Sequence, residues 1–321
     1  MKVLSIGEVL WDVFDETEMI GGAPLNFAAS LLRLGDYPEV LSAVGADIRG
    51  ELAVAQIEAR GLSSRFIQFT KTAPTGVASV TLDGQGNSTF IIDRPAAYDM
   101  VTLTPSLMET IAAEKFDWVY YGTLLHTGNG AEDRLEEVFE ALPRSRGFYD
   151  VNLRRPHWNL PLVERLSQKA SVMKVNSDEA ETLYALECPA ALYSLEAFCA
   201  FWSESFQVDV ICVTRGIHGA AIWEGGTLHR FAGYPVQVAD TVGAGDSFAA
   251  VFLHGHHNRW PTARTARLAN AVGALVASRA GALPEWSLQE CETLIASQVP
   301  RSAGSTEHLK SSLGASTLES E

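Results

Sequence analysis

The chain has 321 residues, 47% of them hydrophobic, a size that suits one large α/β domain with an attachment better than a string of small modules. Its 39 acidic and 24 basic residues leave a formal net charge of -15, which excludes nonspecific binding to a nucleic-acid backbone or an anionic membrane surface but leaves room for a local basic pocket. No apolar run reaches the roughly 18 residues expected of a membrane-spanning helix.

The opening "MKVLSIGEVLWDVFDE" meets acidic residues too early for a signal peptide and lacks a small-residue cleavage pattern. It reads as a first strand, and the cytoplasm is the expected compartment. In "GGAPLNFAASLLRLG", residues 21 to 35, Gly21 and Gly22 bring backbone close to a ligand. Asn26 offers a donor and an acceptor at the start of a helix whose other face carries Leu25, Ala28, Leu31 and Leu32. A helix cap is the plainer role for Asn26.

Residues 75 to 94, "TGVASVTLDGQGNSTFIIDR", contain two β-prone runs around a turn-rich centre and predict a hairpin. With the extended residues around 11 to 20, this hairpin predicts a small sheet over the main domain, a lid. The segments "FDWVYYG", "RGFYDVN", "SVMKVN" and "VDVICVTRG" then alternate with helical patterns. That rhythm predicts a mostly parallel sheet covered on both faces, with ligands at the carboxyl ends of its strands. Asp12, Gly122, Asp150 with Asn152, Asn176, and Arg215 with Gly216 are expected at those ends.

Residues 187 to 205 read as helical core or an insertion without evident chemistry. Cys188, Cys199, Cys212 and Cys291 lack close spacing or a histidine partner, which argues against a zinc site or disulfide framework. In "DTVGAGDSFAA", residues 240 to 250, Gly243 and Gly245 turn amides toward a common point. A helix beginning near Asp246 adds its unpaired N-H groups there, a geometry suited to an anion. An aspartate cap after a tight glycine turn is the plain alternative. The serine-rich stretch 301–321 reads as a mobile tail.

Taken together, "GEVLWD", "GGAPLNFA", "GADIRG", "DVNLR", "NSDE", "VTRG", "DTVGAGDSFAA" and "NAVGALVASRAGA" resemble the ribokinase-like, or PfkB, carbohydrate kinase family across nearly all of residues 1 to 300. The resemblance implies a three-layer α/β/α sandwich with a mostly parallel central sheet and a β-sheet lid formed from segments near 11–20 and 70–98. It implies transfer of the γ-phosphoryl group of ATP to a sugar hydroxyl, with Asp246 as base beside an anion hole of Gly243, Ala244 and Gly245 amides. No Walker A sequence is present. An aspartate at a helix N-terminus is expected to favour its anionic form.

By the same resemblance Asp12, Gly22 and Asn26 bind sugar hydroxyls, and Arg154 in "DVNLRRPHW" meets an acceptor oxygen or an approaching phosphate. Thr214 and Gly216 of "VTRG" and Asn270 border the nucleotide. Asn176 and Glu179 influence magnesium and phosphate, partly through waters, with a helix cap and acidic first turn as their local alternative. Asp240 resembles part of a potassium site, and the lid sheet implies a homodimer. "GEVLWDVF", Ala23 in the glycine-rich element and "DVNLRRPHW" look more like fructokinase-type members than ribokinase proper. Fructose is therefore the expected acceptor, with 2-keto-3-deoxygluconate, another sugar or a nucleoside as alternatives. A noncatalytic sugar or nucleotide sensor is the reading of a different class, which the intact Asp246 and glycine turn oppose.

Overall fold

The computed structural model describes residues 1–14, 17–82, 88–127 and 133–297. The expected tail, residues 301–321, and the hairpin turn "DGQGN" lie outside them. The chain starts with β1 (Lys2–Ile6), then β2 (Leu10–Phe14), β3 (Thr17–Gly21), α1 (Ala23–Arg33), β4 (Tyr37–Gly45), α2 (Ile48–Ala59) and β5 (Ile67–Thr70). It continues through β6 (Gly76–Leu82), β7 (Ser88–Ile92), α3 (Pro105–Glu114), β8 (Trp118–Gly122), α4 (Arg134–Ala141), β9 (Arg146–Asp150) and α5 (Leu160–Ser167). The last part holds β10 (Val172–Asn176), α6 (Ser177–Glu187), α7 (Leu195–Phe206), β11 (Val210–Thr214), β12 (Ala220–Glu224), β13 (Thr227–Phe231), α8 (Ala244–His257), α9 (Thr262–Ala277) and α10 (Leu288–Ser297).

Among the described residues the central sheet runs β13-β12-β11-β10-β9-β8-β1-β4-β5. It is parallel from β11 to β5 and ends in an antiparallel extension of β12 and β13. The apolar run of β8 shows why both faces are covered. Val119 and Tyr121 join a core with α3 to α7, while Trp118 and Tyr120 join the core under α1, α8, α9 and α10. A strand buried on both faces needs no polar alternation. The result is the expected three-layer sandwich.

The smaller sheet, β3-β2-β6-β7, is the expected lid. Here one expectation is corrected: Asp12 sits in the middle of β2, paired with Met19 and Ala78 in the small sheet, not at the end of a central strand. Between Val3 and Val13 only Gly7 and Glu8 interrupt the apolar pattern at two successive positions, and there the chain leaves one sheet after Ile6 and enters the other at Leu10. In 187 to 205 only α7 is a full helix, and it buries Phe198, Cys199 and Trp202. All four cysteines are unpaired. Among the described residues no helix is long and apolar enough to cross a membrane.

Candidate active site

The site begins where two helices start side by side. Gly243 occupies the cap position of α8 with φ 76°, and a Cβ there would collide with the Ala282 carbonyl, so both backbone and space require glycine. The helix proper begins at Ala244. Asp246 is thus inside the first turn and caps nothing; its carboxylate turns outward, and Asn26 Nδ2 donates to its Oδ2 at 2.8 Å. Asn26 is likewise no cap, because α1 starts from Gly22 and Asn26 lies one turn in. Ser30 and Ser247, one turn further along each helix, bond to each other at 3.0 Å. Two glycine-led helix starts, 220 residues apart in sequence, are therefore locked in register.

Between them and the lid lies a cavity of about 330 Å³ lined by Glu8, Asp12, Asn26, Arg154, Lys174 and Asp246. Gly22, Asn176, Thr214, Gly243 and Gly245 reach the same space. The Asp12 carboxylate fills the volume that a side chain at Gly21 would take. Burial pushes Asp246 up to about 6, with Lys174 pulling the other way and Asp150 adding to the rise. The helix terminus was expected to favour the anion; the net shift runs the other way, set first by the loss of solvent. Burial also lifts Asp12 to about 7 against the opposing pull of Arg154, and it lifts Glu8 to about 7.

A second cavity, about 230 Å³, adjoins the first and shares Thr214, Thr241 and Gly245 with it. Its other walls are apolar or backbone, including Ile217, Tyr234, Val236 and Val238, and they take in Gly216, Ala244 and Asn270. Asn270 Nδ2 donates to the Ala232 carbonyl at 3.2 Å, tying α9 to the chain leaving β13. The Ala244 amide donates weakly to the Thr241 carbonyl at 3.3 Å.

Two expected residues line neither cavity. Glu179 and Asn176 form a reciprocal cap on α6, each side chain accepting from the other's amide at 2.9 Å. The second Glu179 oxygen accepts from Leu153 N at 2.8 Å, which ties the α6 start to the loop that carries Arg154. Asp240 accepts from Val242 N at 3.0 Å and Gly281 N at 3.1 Å, joining the loops before α8 and after α9. Among the described residues no group of three or more His, Cys, Asp or Glu side chains forms a metal cluster.

Sequence reasoning gave no role to Glu8 or Lys174. Glu8 sits in the quoted "GEVLWD", and its Oε1 accepts from Ala23 N at 3.2 Å, a contact no local pattern reveals. Lys174 was the lone charge inside the apolar "SVMKVN", and that was the available signal.

A buried carboxylate facing a polar cavity, beside the first amides of a helix and an apolar slot, is the layout of a phosphotransferase acting on a hydroxyl. The chain belongs to the pfkB family of carbohydrate kinases, whose family model matches residues 4–287. It is similar to the fructokinase of Escherichia coli, 26% identical over 301 residues that cover 88% of this chain and 95% of the relative. Among solved structures it resembles a fructokinase with bound ATP from Xylella fastidiosa, with TM-score 0.78, 23% identity and coverage of 92% and 98%. It resembles equally the 2-dehydro-3-deoxygluconokinase of Thermotoga maritima, with TM-score 0.77, 18% identity and coverage of 92% and 99%. Shared fold therefore does not separate these acceptors.

Proposed function

We propose that this carbohydrate kinase transfers the γ-phosphoryl group of ATP to the primary hydroxyl of a neutral sugar, with D-fructose, giving fructose 6-phosphate, as the preferred acceptor. The observation that carries the reading is the Asn26 to Asp246 hydrogen bond, which joins the glycine-rich sugar element to the start of α8. Asp12 and Asn26 hold sugar hydroxyls, and Arg154 bonds an acceptor or phosphate oxygen. Asp246 accepts the hydroxyl proton as the alcohol oxygen bonds to phosphorus. The amides of Gly243, Ala244 and Gly245 face the transferred phosphoryl oxygens, and the Ala244 amide turns from Thr241 to do so. The nucleotide occupies the apolar slot, with Thr214, Gly216 and Asn270 along its rim. Magnesium supplies charge neutralisation on the ATP phosphates. Glu179, with both oxygens already on backbone amides, acts on it only indirectly.

The charge of the cavity favours a neutral acceptor. Three carboxyl groups, Glu8, Asp12 and Asp246, line the cavity with Arg154 and with a Lys174 already paired to Asp150, so a carboxylated sugar adds a further acidic group to an acid-rich set. Arg154 is the observation in favour of 2-keto-3-deoxygluconate. The test measures ADP formation with ATP-magnesium against fructose, ribose, 2-keto-3-deoxygluconate, tagatose and adenosine. Fructose is expected to have the highest kcat/KM; a lead of more than about tenfold for the ketodeoxy acid overturns the neutral-sugar reading, and that factor corresponds to roughly 1.4 kcal/mol in the transition state. Two smaller parts belong to the same reading: potassium beside Asp240, tested by replacing it with sodium, and a homodimer through the small sheet, whose Ile91 is 55% exposed, tested by sedimentation equilibrium.

A further inference from the structure

A charged pair lies under the first turn of α8, in a layer where neighbouring positions are apolar. Lys174 and Asp150 are register partners on the adjacent parallel strands β10 and β9. Lys174 Nζ bonds both Asp150 oxygens, at 2.9 and 3.0 Å, and the Tyr120 hydroxyl donates to Oδ2 at 3.0 Å. Asp150 is wholly buried, and Lys174 is 7% exposed, its small exposed part opening into the cavity that holds Asp246. The ammonium lies close beside α8, where a Cβ at Gly245 would come within 3.1 Å of Nζ.

Such a pair is a poor way to stabilise a core. Two ions taken out of water lose hydration that their mutual attraction barely returns, and apolar residues of similar volume serve at least as well. Val172, two residues earlier on the same face of the strand, packs in one core with Phe148 and Cys212 and shows that this layer accepts them. What an apolar pair cannot supply is a fixed cation beside a buried carboxylate.

We propose that Lys174, anchored by Asp150 and Tyr120, is a positioning residue for phosphoryl transfer: it lies beside Gly245 and supplies the fixed positive charge against which the Asp246 carboxylate works. The proposal rests on Asp246 being the base. The two members of the pair act on Asp246 with opposite signs, Lys174 favouring its anion and Asp150 its neutral form. Other groups face Asp246 too: the Asn26 amide from α1, Arg154 from the loop after β9, Glu8 and Asp12 from the lid side, and Tyr120 from β8. Substituting the pair alters the hydrogen-bond partner of Tyr120 but leaves the other groups in place, so the opposed signs belong to Lys174 and Asp150.

The test is the acid limb of kcat, measured with both substrates saturating so that Glu8 and Asp12 are covered by sugar. Lys174→Met is expected to move the limb to higher pH by about one unit, a loss of about fivefold at pH 6 that approaches about tenfold at lower pH and is largely regained in alkali. Asp150→Asn is expected to move it the other way. The double variant, which leaves no unpaired buried charge, is expected to fold with a limb between those of the single variants. Limbs that coincide with the parent's, or that move in the same direction in both single variants, overturn the proposal, since a merely structural pair lowers kcat at every pH without displacing the limb. If Lys174→Met fails to fold, the sign of the shift in Asp150→Asn decides. Asp246→Asn, assayed alongside, separates the two failures: retained turnover there removes the base assignment, whereas an inactive protein with unmoved limbs removes only Lys174.

Discussion

The two ends of the cleft are made of different materials. The end proposed for the sugar is walled by ionisable side chains that are buried or half-buried, Glu8, Asp12, Arg154 and Asp246 among them. The end proposed for the nucleotide is walled by apolar groups and glycine backbone, with Asn270 spent on a neighbouring carbonyl. Recognition at the first end is thus held in individual hydrogen bonds and charges, where removing one partner strands another in a buried site. At the second it is spread over shape, and no single side chain carries much of it. The two ends should therefore respond differently to substitution and to pH.

The largest effect is expected at their junction. Asp246→Asn keeps the size of the side chain and a partner for Asn26 but removes the proton acceptor. We expect kcat to fall on the order of 10²-fold or more while ATP binding, followed by calorimetry, is preserved. Near-parental kcat in protein free of wild-type contamination would remove Asp246 as the base. In the parent, activity needs the ionised carboxylate, so kcat should decline as pH drops through the region of its raised value, about 6.

A matched pair tests the contrast directly. Asp12→Ala is expected to lower kcat/KM for the sugar about 10-fold to 100-fold, the range for losing a hydrogen bond to a charged group, with little change in the KM for ATP. Asn270→Ala should do the reverse and more weakly, raising the KM for ATP a few-fold by loosening the chain after β13. Steady-state kinetics with each substrate varied in turn decides. If Asn270→Ala proves as damaging as Asp12→Ala, the nucleotide end is not the distributed surface described above.

The same contrast explains what the sequence could disclose. Asp246 and Asn26 were legible because glycines precede them, and a glycine forced by φ or by close approach leaves its mark in the chain itself; Asp12 has no such neighbour and was given a role only through the family resemblance. The parallel sandwich was legible from runs such as "WVYYG", and the lid from its turn-rich hairpin. Lys174 was not, because its partner lies across a strand pairing and only a lone charge in an apolar run hinted at it. Glu8 was quoted without a role, since its amide partner is 15 residues away. Burial, set by everything packed around a group, raises Asp246 where its helix position alone predicts the opposite direction, and no local motif reports it.

The smallest predicted effect is on stability, and it follows from the sugar end alone. In the unfolded chain Glu8 ionises near the ordinary value of 4.5, whereas the folded protein keeps its proton to about 7. Between those values the folded state binds more protons than the unfolded one, so this contribution is full below about 4.5, falls as pH rises through the window, and is gone above about 7. Asp12, raised to about 7, and Asp246, raised to about 6, act in the same direction. Glu8→Gln can keep the bond from Ala23 N through its carbonyl oxygen and has no charge to bury. Its melting temperature should therefore vary less between about pH 5 and 8 than the parent's, and should exceed the parent's at the alkaline end by about 2 °C or more. Thermal melts across that range give the answer: parallel curves for Glu8→Gln and parent would mean that Glu8 is already ionised in the folded protein, and the sugar end would then be more anionic, and still less hospitable to a carboxylated acceptor, than its burial indicates.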